Sequence, residues 1–279
     1  MFRLDRLLEI SDGAVIDADL GADGSLCYIH SGHGVCSLIV AAEEWSSWNQ
    51  SKLPHATHLR WMSKDRVALW SLPPKVGSNN TVRVYVRKGS VELPVGQPRD
   101  VIFGTNVLFA CYGEEAYLAA GEREIESHLI AAFDDNGEFQ FGLRDRLKAG
   151  EIDGAIEMDV GCISKDNEGI FLFYPGDDLW RMSPNNGKVE RLHSPANVRG
   201  LSAISAAEDK IFLARASASE ISFGHFNLGS GAIGEDGKIP YSSLGIISAD
   251  RRKHFRVHGC ANGTMLITTD TGIWCVTFF

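Results

Sequence analysis

"NGTMLITTDTGIWCVTFF", residues 262–279, reads as two apolar strands joined by a polar turn. Met265–Ile267 and Ile273–Phe279 are rich in β-branched and aromatic residues. Thr269–Gly272 between them has the small polar residues of a tight turn. A strand this apolar at a sheet edge exposes unpaired N–H and C=O groups, so it needs a partner. The question it raises is which segment pairs with it.

Working outward, the same grammar recurs along the chain. "RVALWSL", "TVRVYVRKG", "DVIFGT", "NVLFACYG", "GIFLFYPG" and "KIFLARAS" are short, β-rich and bounded by Gly, Asn, Asp, Ser or Pro. Only "EEWSSWNQ" and "FGLRDRLKAG" have helical character, and both could also be loops. The expected class is all-β. A turn pair followed by a strongly apolar strand appears at Asp23-Gly24, Asp65-Arg66, Thr105-Asn106, Glu168-Gly169, Asp209-Lys210 and Asn262-Gly263. The intervals are 42, 40, 63, 41 and 53 residues. Three are near the roughly 40–45 residues of a four-stranded repeat unit. The two long ones predict insertions, near 113–127 or 142–153 and near 229–254. The unit that begins at 262 is short by about the length of the first segment. "FRLDRLLEIS" at the start matches "KVERLHS" (188–194), an outer-strand pattern. The first ten residues are therefore expected to pair with the last strand.

These features resemble a β-propeller. "TMLITTDTGIWCV" is similar to the strand–turn–strand unit of the sensor-type propellers of bacterial two-component regulators. "DLWRMSPNNGKVERL" is similar to the outer hairpin of the same superfamily, with Asn186-Gly187 expected to form a type I′ turn. The WD40 and kelch signatures are missing, and Thr268-x-Asp270-x-Gly272 is an incomplete Asp-box. The resemblance implies one domain over residues 1–279, a six-bladed β-propeller closed by its N-terminal strand within the last blade. Five or seven blades, packed β-sheets, or two small β-domains are the rival architectures.

Composition narrows the function classes. A net charge of −9 disfavours nucleic acid, which requires clustered Lys and Arg. No apolar run approaches the roughly 20 residues of a membrane-spanning helix. The first residues lack an apolar signal core. The six cysteines form no C-x-x-C pair and mostly sit in apolar runs, so they read as buried small hydrophobes in a reducing, cytoplasmic setting. No metal and no cofactor is expected.

Under the propeller register, the loops that gather at one rim carry the candidate binding residues. His30-x-x-His33 and His55-x-x-His58 come from neighbouring units, but they lack the helical context of a metal motif. Glu114, Glu115, Asp177, Asp178 and Asp270 are rim carboxylates, and Arg99 and Arg199 are rim cations. Trp45 and Trp48 fall in a rim loop, where exposed rings favour interfaces. Asp17, Asp19, Glu157 and Asp159 lie in candidate inner strands, facing the channel or capping turns. "DRRKHFRVH" (250–258) is the one basic run and reads as a solvated loop entering a strand. "NLGSGAIG" (227–234) reads as an insertion loop. There is no G-x-S-x-G elbow and no phosphate loop. The expectation is a non-enzymatic module that binds another protein through its rim, of an inhibitory, immunity or sensor type. The alternative is a hydrolase or lyase acting on a carbohydrate or small ester.

Overall fold

The computed structural model describes residues 1–32, 35–41, 49–51, 58–63, 66–70, 82–86, 89–96, 98–104, 107–113, 125–148, 162–165, 170–173, 179–192, 200–246 and 255–279. They form antiparallel four-stranded sheets. After β1 (Phe2–Glu9), five sheets each use four consecutive strands. The first holds β2 (Ala14–Leu20), β3 (Leu26–Gly32), β4 (Val35–Ala41) and β5 (Asn49–Ser51). The second holds β6 (His58–Ser63), β7 (Arg66–Trp70), β8 (Val82–Val86) and β9 (Gly89–Leu93). The third holds β10 (Asp100–Phe103), β11 (Leu108–Cys111), β12 (Ile130–Phe133) and β13 (Phe139–Gly142), followed by the short helix α1 (Leu143–Lys148). The fourth holds β14 (Cys162–Lys165), β15 (Ile170–Phe173), β16 (Leu179–Met182) and β17 (Val189–Leu192). The fifth holds β18 (Ala203–Ala207), β19 (Lys210–Ala216), β20 (Glu220–Asn227) and β21 (Ile233–Pro240).

The remaining sheet is composite. It joins β22 (Phe255–Gly259), β23 (Thr264–Thr269) and β24 (Gly272–Phe278) to β1, in the order β1-β24-β23-β22. Phe2 pairs with Phe278 and Glu9 with Gly272, with one irregularity between Arg6 and Leu8. The first strand is thus the partner of the last. The first strand of each consecutive sheet lies beside its counterpart in the next: β2 by β6, β6 by β10, β10 by β14, β14 by β18, and β18 by β22. β2 also lies beside β23. The fold is a β-propeller, with these inner strands around an axial channel.

Adjacent sheets are held by apolar packing. Phe212 and Phe278 stack at 4.4 Å, and Phe2 tilts against Phe223 at 5.1 Å, which ties the fifth sheet to the composite one. The cysteines whose side chains are described, Cys27, Cys111, Cys260 and Cys275, are buried and unbridged.

Three local expectations are corrected. Asn186-Gly187 is not a type I′ turn, because only Gly187 has positive φ, at 66°. Ser183 and Lys188 instead bracket a longer turn, and Asn186 Oδ1 accepts the Lys188 N–H. The two-residue turn with both φ positive is Asn262-Gly263, at 58° and 64°. Residues 229–254 are not all insertion, since 233–240 is the regular fourth strand β21. By the same token "NLGSGAIG" is the β20–β21 hairpin rather than an inserted loop. The expected helical character of "FGLRDRLKAG" is present as α1. Most of "EEWSSWNQ" lies outside the described residues, and its Asn49 and Gln50 are in β5.

Candidate functional site

The channel is lined by charged residues that the inner strands alternate with apolar ones. Residues i and i+2 of a strand share a face. β2 therefore presents Asp17 and Asp19 together, β6 presents His58 and Arg60, and β22 leads through Arg256 and His258 to Cys260. Each inner strand is the edge of its own sheet, with spare N–H groups turned toward the neighbouring sheet. Asp17 Oδ2 accepts the Leu59 N–H at 3.0 Å, and Asp19 Oδ2 accepts the Trp61 N–H at 2.8 Å. The two carboxylates thus stand in for strand partners along the edge of β6. The indole of Trp61 returns a bond to the Ser25 carbonyl at 2.9 Å.

Arginines and a histidine hydrogen bond compensate the buried acids. Arg60 reaches Asp17 at 3.3 Å and Asp100 at 3.0 Å, and Arg256 reaches Asp17 at 3.5 Å. His258 Nε2 lies 3.3 Å from Asp19 Oδ1. Burial alone would raise both carboxyls. For Asp17 the charges of Arg60 and Arg256 outweigh it, and for Asp19 the His258 hydrogen bond and charge do, so both sit below the ordinary carboxylate range. Burial, with the Arg256 charge behind it, pushes the His58 imidazole down to about 3, so it is neutral near pH 7. The ring stacks on Trp70 at 5.3 Å. Burial pushes the Cys27 and Cys260 thiols up.

This belt divides the channel. On the side where the inner strands begin lies a cavity of about 420 Å³, bordered by Asp17, His58, Arg60, Arg99, Asp100, Arg256 and His258. On the side where they end lies one of about 330 Å³, bordered by Asp19, Trp61, Ser164, Cys260 and residues of the first turn. Arg60, Asp100, Ile163 and Gly259 border both. Gly259 permits the close approach of β22 to β18, because a Cβ there would fall onto the Ile204 carbonyl oxygen.

Of the rim residues singled out in the sequence, His58 and Arg99 meet at the first cavity. His30 is inside β3 rather than in a loop, and its Nε2 lies 2.7 Å from the Asp12 carbonyl oxygen. Asp270 is in the β23–β24 turn, where its backbone carbonyl accepts the Val15 N–H. His33, Trp45, Trp48, His55, Glu114, Glu115, Asp177, Asp178 and Arg199 lie outside the described residues, as do Glu157 and Asp159. Sequence reading did not single out Arg60, Asp100 or His258 as site residues. The available signal was period-2 charge inside apolar strands, in "HLRWMS" and "FRVHGC".

No protein-family model matches the sequence, and no curated protein does. Solved structures do match in fold. A catalytically inactive virginiamycin B lyase from Staphylococcus aureus, with quinupristin, aligns at a TM-score of 0.53 and 14% identity over 100% of both chains. The PQQ-bound aldose sugar dehydrogenase of Streptomyces coelicolor aligns at 0.55 and 12%, covering 99% of this chain and 98% of that one. A Bacteroides thetaiotaomicron protein of unknown function aligns at 0.54 and 9%, over 99% and 72%. At these identities the likeness is one of fold, the β-propeller. No helix among the described residues is long and apolar enough to cross a membrane.

Proposed function

We propose that this chain is a closed six-bladed propeller that works as a non-enzymatic binding module. It takes an acidic segment of another protein into the channel mouth where the inner strands begin. The observation that carries this reading is the cavity of about 420 Å³ bordered by Arg60, Arg99 and Arg256 against Asp17 and Asp100, with His58 neutral. That is an excess of positive charge inside a chain whose net charge is −9. Guanidinium forks match carboxylates in shape, and a hydrogen bond to a charged group contributes roughly 1.5–3 kcal/mol. The sequence adds the segment with Arg199, which leads into the inner strand β18, to the proposed surface.

The hydrolase or lyase alternative has less support. Glycoside hydrolysis needs a carboxyl with a raised pKa. The buried carboxyls Asp17 and Asp19 are held low and bonded to backbone N–H groups.

A peptide array with internal Glu runs, C-terminal carboxylates and amidated neutral controls tests the reading. Acidic peptides should bind in a salt-sensitive way, and Arg99→Ala and Arg256→Ala should each weaken binding about tenfold, equivalent to about 1.4 kcal/mol. Equal binding of neutral peptides, or unchanged affinity in both variants, would overturn it.

A further inference from the structure

We infer that Asp19, His258 and Cys260 form a buried three-ligand site for a divalent transition-metal ion, with zinc the best match to the donors. Asp19 and Cys260 border the far cavity and His258 the mouth cavity, so the site lies between the two, and it does not depend on the peptide-binding reading. Asp19 Oδ1 is 3.3 Å from His258 Nε2 and 3.4 Å from Cys260 Sγ, and the three donor atoms all lie within 4.8 Å of one another. Bonds of roughly 2.0–2.3 Å in a tetrahedron imply donor–donor edges of about 3.3–3.8 Å. The cluster therefore closes around an ion with small adjustments.

Local structure explains why these three atoms meet. His258 and Cys260 are two apart, so they project together at the end of β22. Asp19 comes from β2. Its carboxylate is already oriented by the Trp61 N–H on Oδ2 and the Leu20 N–H on Oδ1, both at 2.8 Å.

The donor set selects the ion. One imidazole, one thiolate and one carboxylate suit borderline ions such as Zn²⁺ or Co²⁺, whereas Mg²⁺ and Ca²⁺ favour all-oxygen shells. Carboxylate and thiolate together cancel the two positive charges, so the occupied site is itself neutral. On binding, the Cys260 thiol proton leaves to solvent and a sulfur lone pair forms one metal bond; the proton through which His258 Nε2 bonds Asp19 Oδ1 moves to Nδ1 or leaves to solvent, which frees the Nε2 lone pair for another. In the metal-bound form the His258 ring proton is on Nδ1, a nitrogen that is buried and has no hydrogen-bond partner among the described residues. Asp19 and Cys260 also border the cavity of about 330 Å³, so the fourth coordination position faces a space for water or a small ligand. This makes it an open site rather than a closed structural one.

Cobalt titration of chelator-treated protein is the direct test. One equivalent of Co²⁺ should produce a thiolate-to-cobalt charge-transfer band that Zn²⁺ then bleaches, with at least one proton released per ion. Cys260→Ser should abolish the band, and calorimetry should show Zn²⁺ affinity at least tenfold weaker in Cys260→Ser and in His258→Gln. Cys275→Ser, another buried thiol, should change neither. The proposal is overturned if the wild-type protein gives no band, or takes up Co²⁺ without proton release, or if Cys260→Ser keeps the band. Should Cys260→Ser fail to fold, the two wild-type measurements still decide.

Discussion

At the scale of single residues, His58 shows how burial sets pH behaviour. In the unfolded chain an imidazole takes up its proton near 6.5, whereas in the folded chain burial and the Arg256 charge delay uptake to about 3. Between those values the unfolded state binds more protons, so stability falls as pH falls. The slope approaches about 1.4 kcal/mol per pH unit at its steepest. Asp17 and Asp19 act in the same direction but lower. Their stabilisation is present above the ordinary carboxylate range and is lost as pH drops through their depressed values. Urea unfolding across pH 7 to 4 should show this decline, and His58→Gln should flatten it between 6.5 and 4. Parallel curves for the two proteins would refute the assignment to His58.

At the scale of elements, the inner strands are edges whose spare donors must be covered. Asp17 and Asp19 cover β6, while Ser205 Oγ donates to the Cys260 carbonyl at 2.8 Å and the Gly263 N–H donates to the Ala206 carbonyl at 3.1 Å. This close docking of β22 on β18 requires a bare backbone at Gly259. Gly259→Ala should destabilise the protein by roughly 3 kcal/mol, the upper end for overpacking. It should also disturb the proposed metal site, since His258 and Cys260 flank it. A denaturation midpoint equal to that of the wild-type protein would show that β18 and β22 separate more easily than their contacts imply. The strands themselves were readable from their apolar runs and turn pairs. The Asn262-Gly263 pair falls at a turn where both residues have positive φ, whereas Asn186-Gly187 does not. A dipeptide sets what a turn permits, and the strand register around it sets which turn forms.

At the scale of the whole molecule, the composite sheet joins the two ends of the chain. Phe2, Phe212, Phe223 and Phe278 form an aromatic cluster across it and the fifth sheet. Truncating a buried phenylalanine typically costs about 3–5 kcal/mol. Phe278→Ala should therefore lose an amount in that range by chemical denaturation. Amide exchange should rise in β1 and β24 together, because they share one ladder. Protection retained in β1 alone would show that the two strands are not one cooperative unit.

The all-β class, the turn pairs ahead of the apolar strands and the pairing of the first strand with the last were legible in the chain's local chemistry: β-branched and aromatic runs, turn residues, and an apolar edge that needs a partner. The same reading placed Asp17 and Asp19 on an inner strand. What those acids do emerges only when the sheets assemble, since their partners Leu59 and Trp61 lie 42 residues further on, in another sheet. The same holds for Asp19 with His258 and Cys260, which are 239 and 241 residues apart along the chain. Burial, charge compensation and donor geometry at the axis arise when strands from different sheets converge, and no window of sequence contains them.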